Sequence, residues 1–450
     1  MASVELNVGV GLSLFQVGVA VLFLRFFLSG SVRLTNAQGL VFLLIALFAA
    51  TASAAITLDS APQQDFFGGY FRNGWPRTFV TLVLVSLMVL PIFLVEGLRN
   101  NIECNLTIKV FLLSVFVFSV LGLFHSAYYS LTQVDLFPIG AMSADNSLLR
   151  SPVLSISGVT YLRPTGLSGE PKILALVNVI ALAVMVHFRS IYRKITFRLF
   201  ASIYLITVLA CFSTSAFICI FVYLMFFLFR RPISMFKKPA AMFVLLASMN
   251  FGLLGSMLYV VEAGGVSTNS TVALDEVGFA QTLADRTIGR VEVEDFDYII
   301  SKSMLETPNY FFLGKGLGQS HVDTDHLIPE RMRYYTEGKI LSPKSGSLFL
   351  LANAGVLGSI CFILFIVNYI TQSSMRRRAD DAYLRKFVDR SSYLLAFLLC
   401  VAFLRFYVFE YIFLLIAVAK YSPVLSDKRA PLLRRRLRER LSGMSGSLVR

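Results

Sequence analysis

Three stretches of this sequence carry residue types suited to chemistry on an anion or a sugar. In RPTGLSGEP (163–171), Arg163 and Glu170 bracket a turn rich in glycine and proline, just ahead of an apolar run. A guanidinium held there can grip a phosphate bidentately, which an ammonium cannot. Two roles fit Glu170, a general base or the carboxylate that orients Arg163; an ion pair across the turn is the structural alternative. In TIGRVEVEDFDYII (287–300), Thr287 can cap a helix whose first turns are crowded with acids that complement its dipole. Arg290 then projects from the start of that helix, where backbone N–H groups also favour anions. Neutralisation by Glu294, four residues on, is the alternative for Arg290.

The third stretch is NYFFLGKGLGQSHVDTDH (309–326). Gly314, Gly316 and Gly318 allow a positive φ or a close backbone approach. Their spacing and context are not those of a dinucleotide fingerprint. His321 and His326 flank Asp323 and Asp325, a set with the chemistry of an acid–base pair or a metal site. A single catalytic histidine fits it better than a metal, and a solvated surface histidine fits equally well. In the last apolar run, Arg405 and Glu410 are ionisable groups at membrane depth, where function is the default suspicion and mutual pairing the alternative. His125 and His187 end apolar runs and have structural roles.

These residues must be positioned by a membrane scaffold. The chain has 450 residues, 56% hydrophobic and 15% charged, with a mean hydropathy of +0.70, against about 25% charged in a soluble domain. Apolar runs long enough to cross a core of about 30 Å recur, and the short alternating segments of a membrane β-barrel do not. The fold class is therefore an all-α polytopic membrane protein. The expected spans are 8–28, 39–58, 78–97, 108–125, 173–187, two within 195–229 that turn at Ser213 to Ser215, 241–261, 347–370, and two short ones within 391–419, about eleven in all.

The formal net charge of +14 sits in short links and the tail, so it sets topology and does not point to nucleic acid. The N-terminus falls outside and the C-terminus inside. This divides the chain into 1–261, a membrane domain that includes outer loop 126–172; 262–346, a long outer loop or lid in which acids outnumber bases; 347–420, the remaining spans; and 421–450, a basic tail on the inner leaflet. Within the long loop, Val293, Phe296, Ile300 and Met304 make one apolar helix face that ends at Thr307-Pro308, so this helix is expected to lie against the spans. The loop has none of the five cysteines, which leaves no disulfide framework and no thiolate metal site there.

With these pieces in order, the chain resembles the O-antigen polymerases and O-antigen ligases of Gram-negative bacteria. RPTGLSGEP (163–171) is similar to that family's arginine–glycine–acid–proline turn, with Glu170 in the polymerase form where ligases tend to have asparagine. IGRVEVEDFDYI (288–299) is similar to the opening of its large loop. PNYFFLGKGLG (308–318), followed by SGSLFLLANAGVLG (345–358), is similar to its closing glycine motif and the span after it. The chain departs from the family where Ala216 follows the Ser213 to Ser215 turn, a place that often holds arginine. It departs again where Lys344, Ser345 and Gly346 stand in place of the ligase-type histidine.

The resemblance implies a GT-C-like glycosyltransferase of the bacterial inner membrane, with the N-terminus and the long loop periplasmic and the tail cytoplasmic. It implies undecaprenyl-pyrophosphate-linked glycans as donor and acceptor, a protein partner that regulates chain length, contact with membrane lipids and no cofactor. Arg163 and Arg290 would hold the pyrophosphate. Glu170, His321 and His326 would be the candidate bases, and Gly314, Gly316, Gly318 and Arg405 would serve the substrate or the loop. No metal would be required. Transfer of glycan to lipid A–core by a ligase is the first alternative. A polysaccharide flippase is a second, and it predicts more polar residues at membrane mid-depth than this chain has. A structural membrane subunit is the third.

Overall fold

The structure is a computed structural model. It describes residues 5–7, 11–13, 21, 24, 28, 37–60, 74–97, 101–132, 153–156, 159–165, 171–189, 192–211, 213–228, 296–328, 343, 345–375 and most of 394–402. In chain order these form β1 (Glu5–Asn7), β2 (Gly11–Ser13), α1 (Ala37–Ser60), α2 (Gly74–Gly97), α3 (Asn101–Thr132), β3 (Val153–Ile156), β4 (Val159–Leu162), α4 (Pro171–His187), α5 (Lys194–Ala210), α6 (Thr214–Leu228), α7 (Phe296–Glu306), α8 (Pro308–Leu313) and α9 (Gly346–Met375).

The described residues are mainly helical. Among the described residues, three helical segments are long and apolar enough to cross a membrane: 38–59 in α1, 106–132 in α3 and 346–369 in α9; 74–89 and 171–187 are shorter apolar segments. This is a helical membrane protein. The expected spans 241–261 and the pair in 391–419 lie wholly or largely outside the described residues, as do Glu170, Arg290 and Arg405.

The apolar runs became helices at close to their expected bounds because hydrocarbon admits only backbone that satisfies itself. The run 195–229 does divide at the polar turn, with α5 ending at Ala210 and α6 starting at Thr214. There the N–H groups of Ala216 and Phe217 donate to Ser213 O. Two expectations need correction. The first span does not begin at residue 8, because β1 and β2 pair as an antiparallel hairpin, Glu5 opposite Ser13. Asn7, Gly9 and Gly11 in that segment favour a turn over a helix. The second correction concerns the outer loop. α3 continues to Thr132, seven residues past the expected end at 125, and the loop itself contains the β3–β4 hairpin, Val153 opposite Leu162.

α9 is the central helix. Of its apolar window 67% is buried, against 33% for α1 and 28% for α3. α1 lies along it, while α4 packs on α3, α5 and α6. One continuous core joins Leu43 and Ala46 of α1 to Ile108 and Leu112 of α3, Ile180 of α4, Tyr204 of α5 and Phe365 of α9. Tyr204 Oη donates to Leu112 O (2.5 Å), which fixes α5 to α3. The outward residues of α3, among them Leu106, Val110, Leu113 and Val117, stay apolar and exposed, as a lipid-facing side requires.

The expected amphipathic helix is α7. Ile299, Ile300 and Met304 are buried against Leu348, Leu351 and Ala352 of α9. Asp297, buried near the start of α7, accepts a hydrogen bond from Ser345 N (3.1 Å). Ser345 Oγ in turn accepts one from Leu348 N (3.1 Å), a side-chain cap for α9. The start of the loop helix is thus tied to the start of the span that follows it.

Candidate functional site

The glycine motif does not stand open to solvent. Residues 314–320 are buried as a continuous segment, wedged between α1, α2 and α9. Lys315 N donates to Ala352 O (2.7 Å) and Leu317 N to Ala50 O (3.2 Å). Gly318 N donates to Asn353 Oδ1 (2.9 Å). Ser53 Oγ donates to Leu313 O (2.5 Å), Thr78 Oγ1 to Leu317 O (3.0 Å), and Arg77 Nε to Gly318 O. Gln319 Nε2 donates toward Gly74 O and Thr78 Oγ1. Helices thus take up the N–H groups of Lys315, Leu317 and Gly318 and the carbonyls of Leu317 and Gly318, as buried backbone requires.

The glycines make this contact possible. Gly316 has φ +91° and sits against the Ala54 backbone, so a Cβ there would overlap α1 itself. Gly314 and Gly355 face each other in the same way, with φ +82° and +60°. Gly355 breaks α9. A helix broken at that point is short of partners for the carbonyls of the preceding turn, and Lys315 N supplies one at Ala352 O. Ala50, Ala54, Ala352 and Ala354 form the small-residue surface the motif beds on.

Behind the motif, Lys315 is fully buried. Its Nζ donates to Ser303 Oγ (2.6 Å) and to Val322 O, and lies 5.1 Å from the Tyr310 ring centroid. Burial pulls its pKa down from 10.5 to about 7, against the opposing pull of Asp323 and Glu306. The unfolded chain therefore binds more protons than the folded one between those two values. Stability from this group is least below pH 7 and rises as pH climbs toward the unfolded value. Thermal unfolding of the purified protein should show a melting temperature that increases from about pH 7 to about pH 9. Lys315→Met should flatten that rise, and an unchanged pH slope in the variant would contradict the assignment.

The two candidate histidines sit in different surroundings. His321 is buried, and its pKa falls to about 3 through burial first, then the positive charges of Arg77 and Lys315, with a bond to the Gly318 carbonyl opposing. An imidazole so disposed stays neutral at working pH and is a weak base. His326 is exposed and sits 2.8 Å from Glu306 Oε2. Among the described residues no three His, Cys, Asp or Glu side chains gather as metal ligands would.

Arg163 is buried, 7% exposed, directly after β4. The surrounding chain is pinned: Ser126 Oγ of α3 donates to Leu162 O, and Cys211 Sγ at the end of α5 donates to Pro164 O (3.3 Å). An arginine, charged at every working pH, is therefore carried on backbone fixed to α3 and to the end of α5. Arg77 is not among the sequence-derived candidates. Its only signal was its place at the start of an apolar run. Arg77 lines a cavity of about 210 Å³ with Thr81, Gly318, Ser320, Pro343 and Asn353.

Comparison with protein-family models, with curated proteins and with solved structures gave no match.

Proposed function

We propose that this protein is a glycosyltransferase that polymerises undecaprenyl-pyrophosphate-linked oligosaccharide repeats on the periplasmic face of the bacterial inner membrane. The observation that carries the reading is Arg163, a buried arginine whose flanking backbone is bonded to two membrane helices. It sits beside a turn whose sequence resembles the polymerase motif. Two further features support it. The long loop is bedded into the helices through its glycine motif, as a lid over a membrane-surface site needs to be. In addition, only residues 98–100 separate α2 from α3, a reach of about 10 Å. On this reading both helices cross the membrane, in opposite directions, so the start of α2, with Arg77, and the end of α3, beside Arg163, share one face.

In this reading Arg163 and Arg290 hold the donor pyrophosphate. The acceptor sugar hydroxyl attacks the anomeric carbon of the donor from the side opposite the pyrophosphate. The new C–O bond forms as the bond to pyrophosphate breaks, and that group leaves with the electron pair. The charge it gains is met by fixed guanidinium groups, the electrostatic part of catalysis. The hydroxyl proton passes to a base, and Glu170 is the better candidate, since His321 is weakly basic and His326 is paired with Glu306. The leaving group ionises without an acid, and guanidinium groups do the work a metal would otherwise do, so transfer is inverting and metal-independent.

Deletion in the native host is the test. Loss of a polymerase should leave surface lipid carrying core plus a single repeat. Bare core would indicate a ligase, and lipid-linked repeats trapped on the inner face would indicate a flippase; either outcome overturns the proposal.

A further inference from the structure

Arg77 belongs to a second site that the Arg163 turn does not explain. Its cavity lies between α2, the glycine motif and the start of α9. At about 210 Å³ it is far larger than the roughly 10–15 Å³ that holds one water, and it has room for a phosphate group. Its lining changes character with depth. Arg77, Thr81 and Ser320 make a polar part, while Leu84, Val85 and Met88 are apolar.

The apolar side does not end there. A second cavity, lined by Leu43 and Leu47 of α1 among others, shares Val85, Met88, Phe349 and Asn353 with the first. The two together make a path from a guanidinium down along α1 and α9, both long and apolar enough to span a membrane. Arg77 is also held in place: Nε donates to Gly318 O, which fixes the plane of the fork. The guanidinium stays charged at every working pH, so the polar part of the cavity favours an anion.

We infer that this path binds a lipid with a phosphate headgroup, the phosphate on Arg77 and the apolar chain along Val85, Met88 and Phe349. The occupant is a membrane lipid and not a soluble phosphate, because the polar part opens onto an apolar path and not onto further polar lining. Resting on the polymerase reading, this lipid is the second, acceptor substrate. A polymerase must hold two lipid-linked glycans at once, and Arg163 and Arg77 sit on separate elements.

The test uses the purified full-length protein in liposomes and a polyprenyl phosphate carrying a photoreactive group in its first isoprene units. Adducts should map to α2 and α9 around Met88 and Phe349. Unlabelled polyprenyl phosphate should compete, while polyprenol and inorganic phosphate should not. Arg77→Gln should weaken labelling about tenfold or more, as the loss of a charge-assisted bond implies. Because Arg77 also braces Gly318, Met88→Trp is the second variant: it fills the path, keeps the arginine, and should lower labelling equally. Adducts absent from both helices, equal labelling by a photoreactive polyprenol, competition by inorganic phosphate, or full labelling of Met88→Trp would overturn the inference. Labelling needs no turnover, so a protein that labels here yet makes no polymer refutes the polymerase reading and leaves the lipid site standing.

Discussion

Gly316→Ala should unseat the long loop from the membrane helices. The new Cβ would overlap the backbone N and Cα of Ala54, which sits inside α1 and cannot retreat without bending a spanning helix. The φ of +91° adds strain for any L-residue. Overpacking and left-handed backbone together cost about 3 kcal/mol or more. Moving the motif away would also break the bonds from Leu317 N to Ala50 O and from Gly318 N to Asn353. The measurable results are a lower melting temperature and faster proteolytic cleavage within 307–328. Gly74 provides the control. It also has a positive φ, +50°, but nothing lies within 4 Å of its missing Cβ. Gly74→Ala should cost only the backbone strain, about 1–2 kcal/mol. Equal behaviour of the two variants would show that the motif is not bedded as described.

Arg163→Ala should abolish long polysaccharide chains while the protein still inserts at normal level. Removing one preorganised donor from a developing oxyanion typically costs a hundredfold to about a thousandfold in rate. Arg163→Lys should fail nearly as badly, because a lysine keeps the charge and loses the planar fork. Protein level and melting temperature separate this from misfolding. Arg163 is buried on backbone bonded to Ser126 and Cys211 at its neighbours Leu162 and Pro164, so the lysine variant is the cleaner of the two. Normal chain length in Arg163→Lys would remove the bidentate role, and normal length in Arg163→Ala would remove the site.

The helices at 38–59, 106–132 and 346–369 were legible because bilayer thickness imposes one simple requirement, about 20 apolar residues in a row. The Ser213 to Ser215 break was legible for the same reason, since three polar residues divide a run too long for one helix. The first span was misjudged at its start because hydropathy counts Gly9 and Gly11 as mildly apolar, while their backbone freedom favours a turn. The face of α7 was readable from Ile300 and Met304, and its partner on α9 was not, because nothing local specifies which helix receives it. The glycine motif shows the same limit. Its need for close approach was plain, but the surface it approaches is Ala50 and Ala54, more than 250 residues earlier (the Ser53 to Leu313 bond spans 260). Lys315 in a glycine loop looks solvated in sequence, and only the tertiary fold buries it. Arg77 was overlooked because an arginine at a helix entrance is ordinary until a cavity forms beside it.

The central claim is that the chain joins lipid-linked glycans with Arg163 at the reaction centre. The most direct measurement incubates the purified protein in liposomes with its undecaprenyl-pyrophosphate-linked repeat, with and without a chelator, and resolves products by size. The expected product is a ladder growing by one repeat per step, unchanged by chelator and lost in Arg163→Ala. A repeat that stays unextended in the presence of folded wild-type protein, or a ladder that persists in Arg163→Ala, would contradict it.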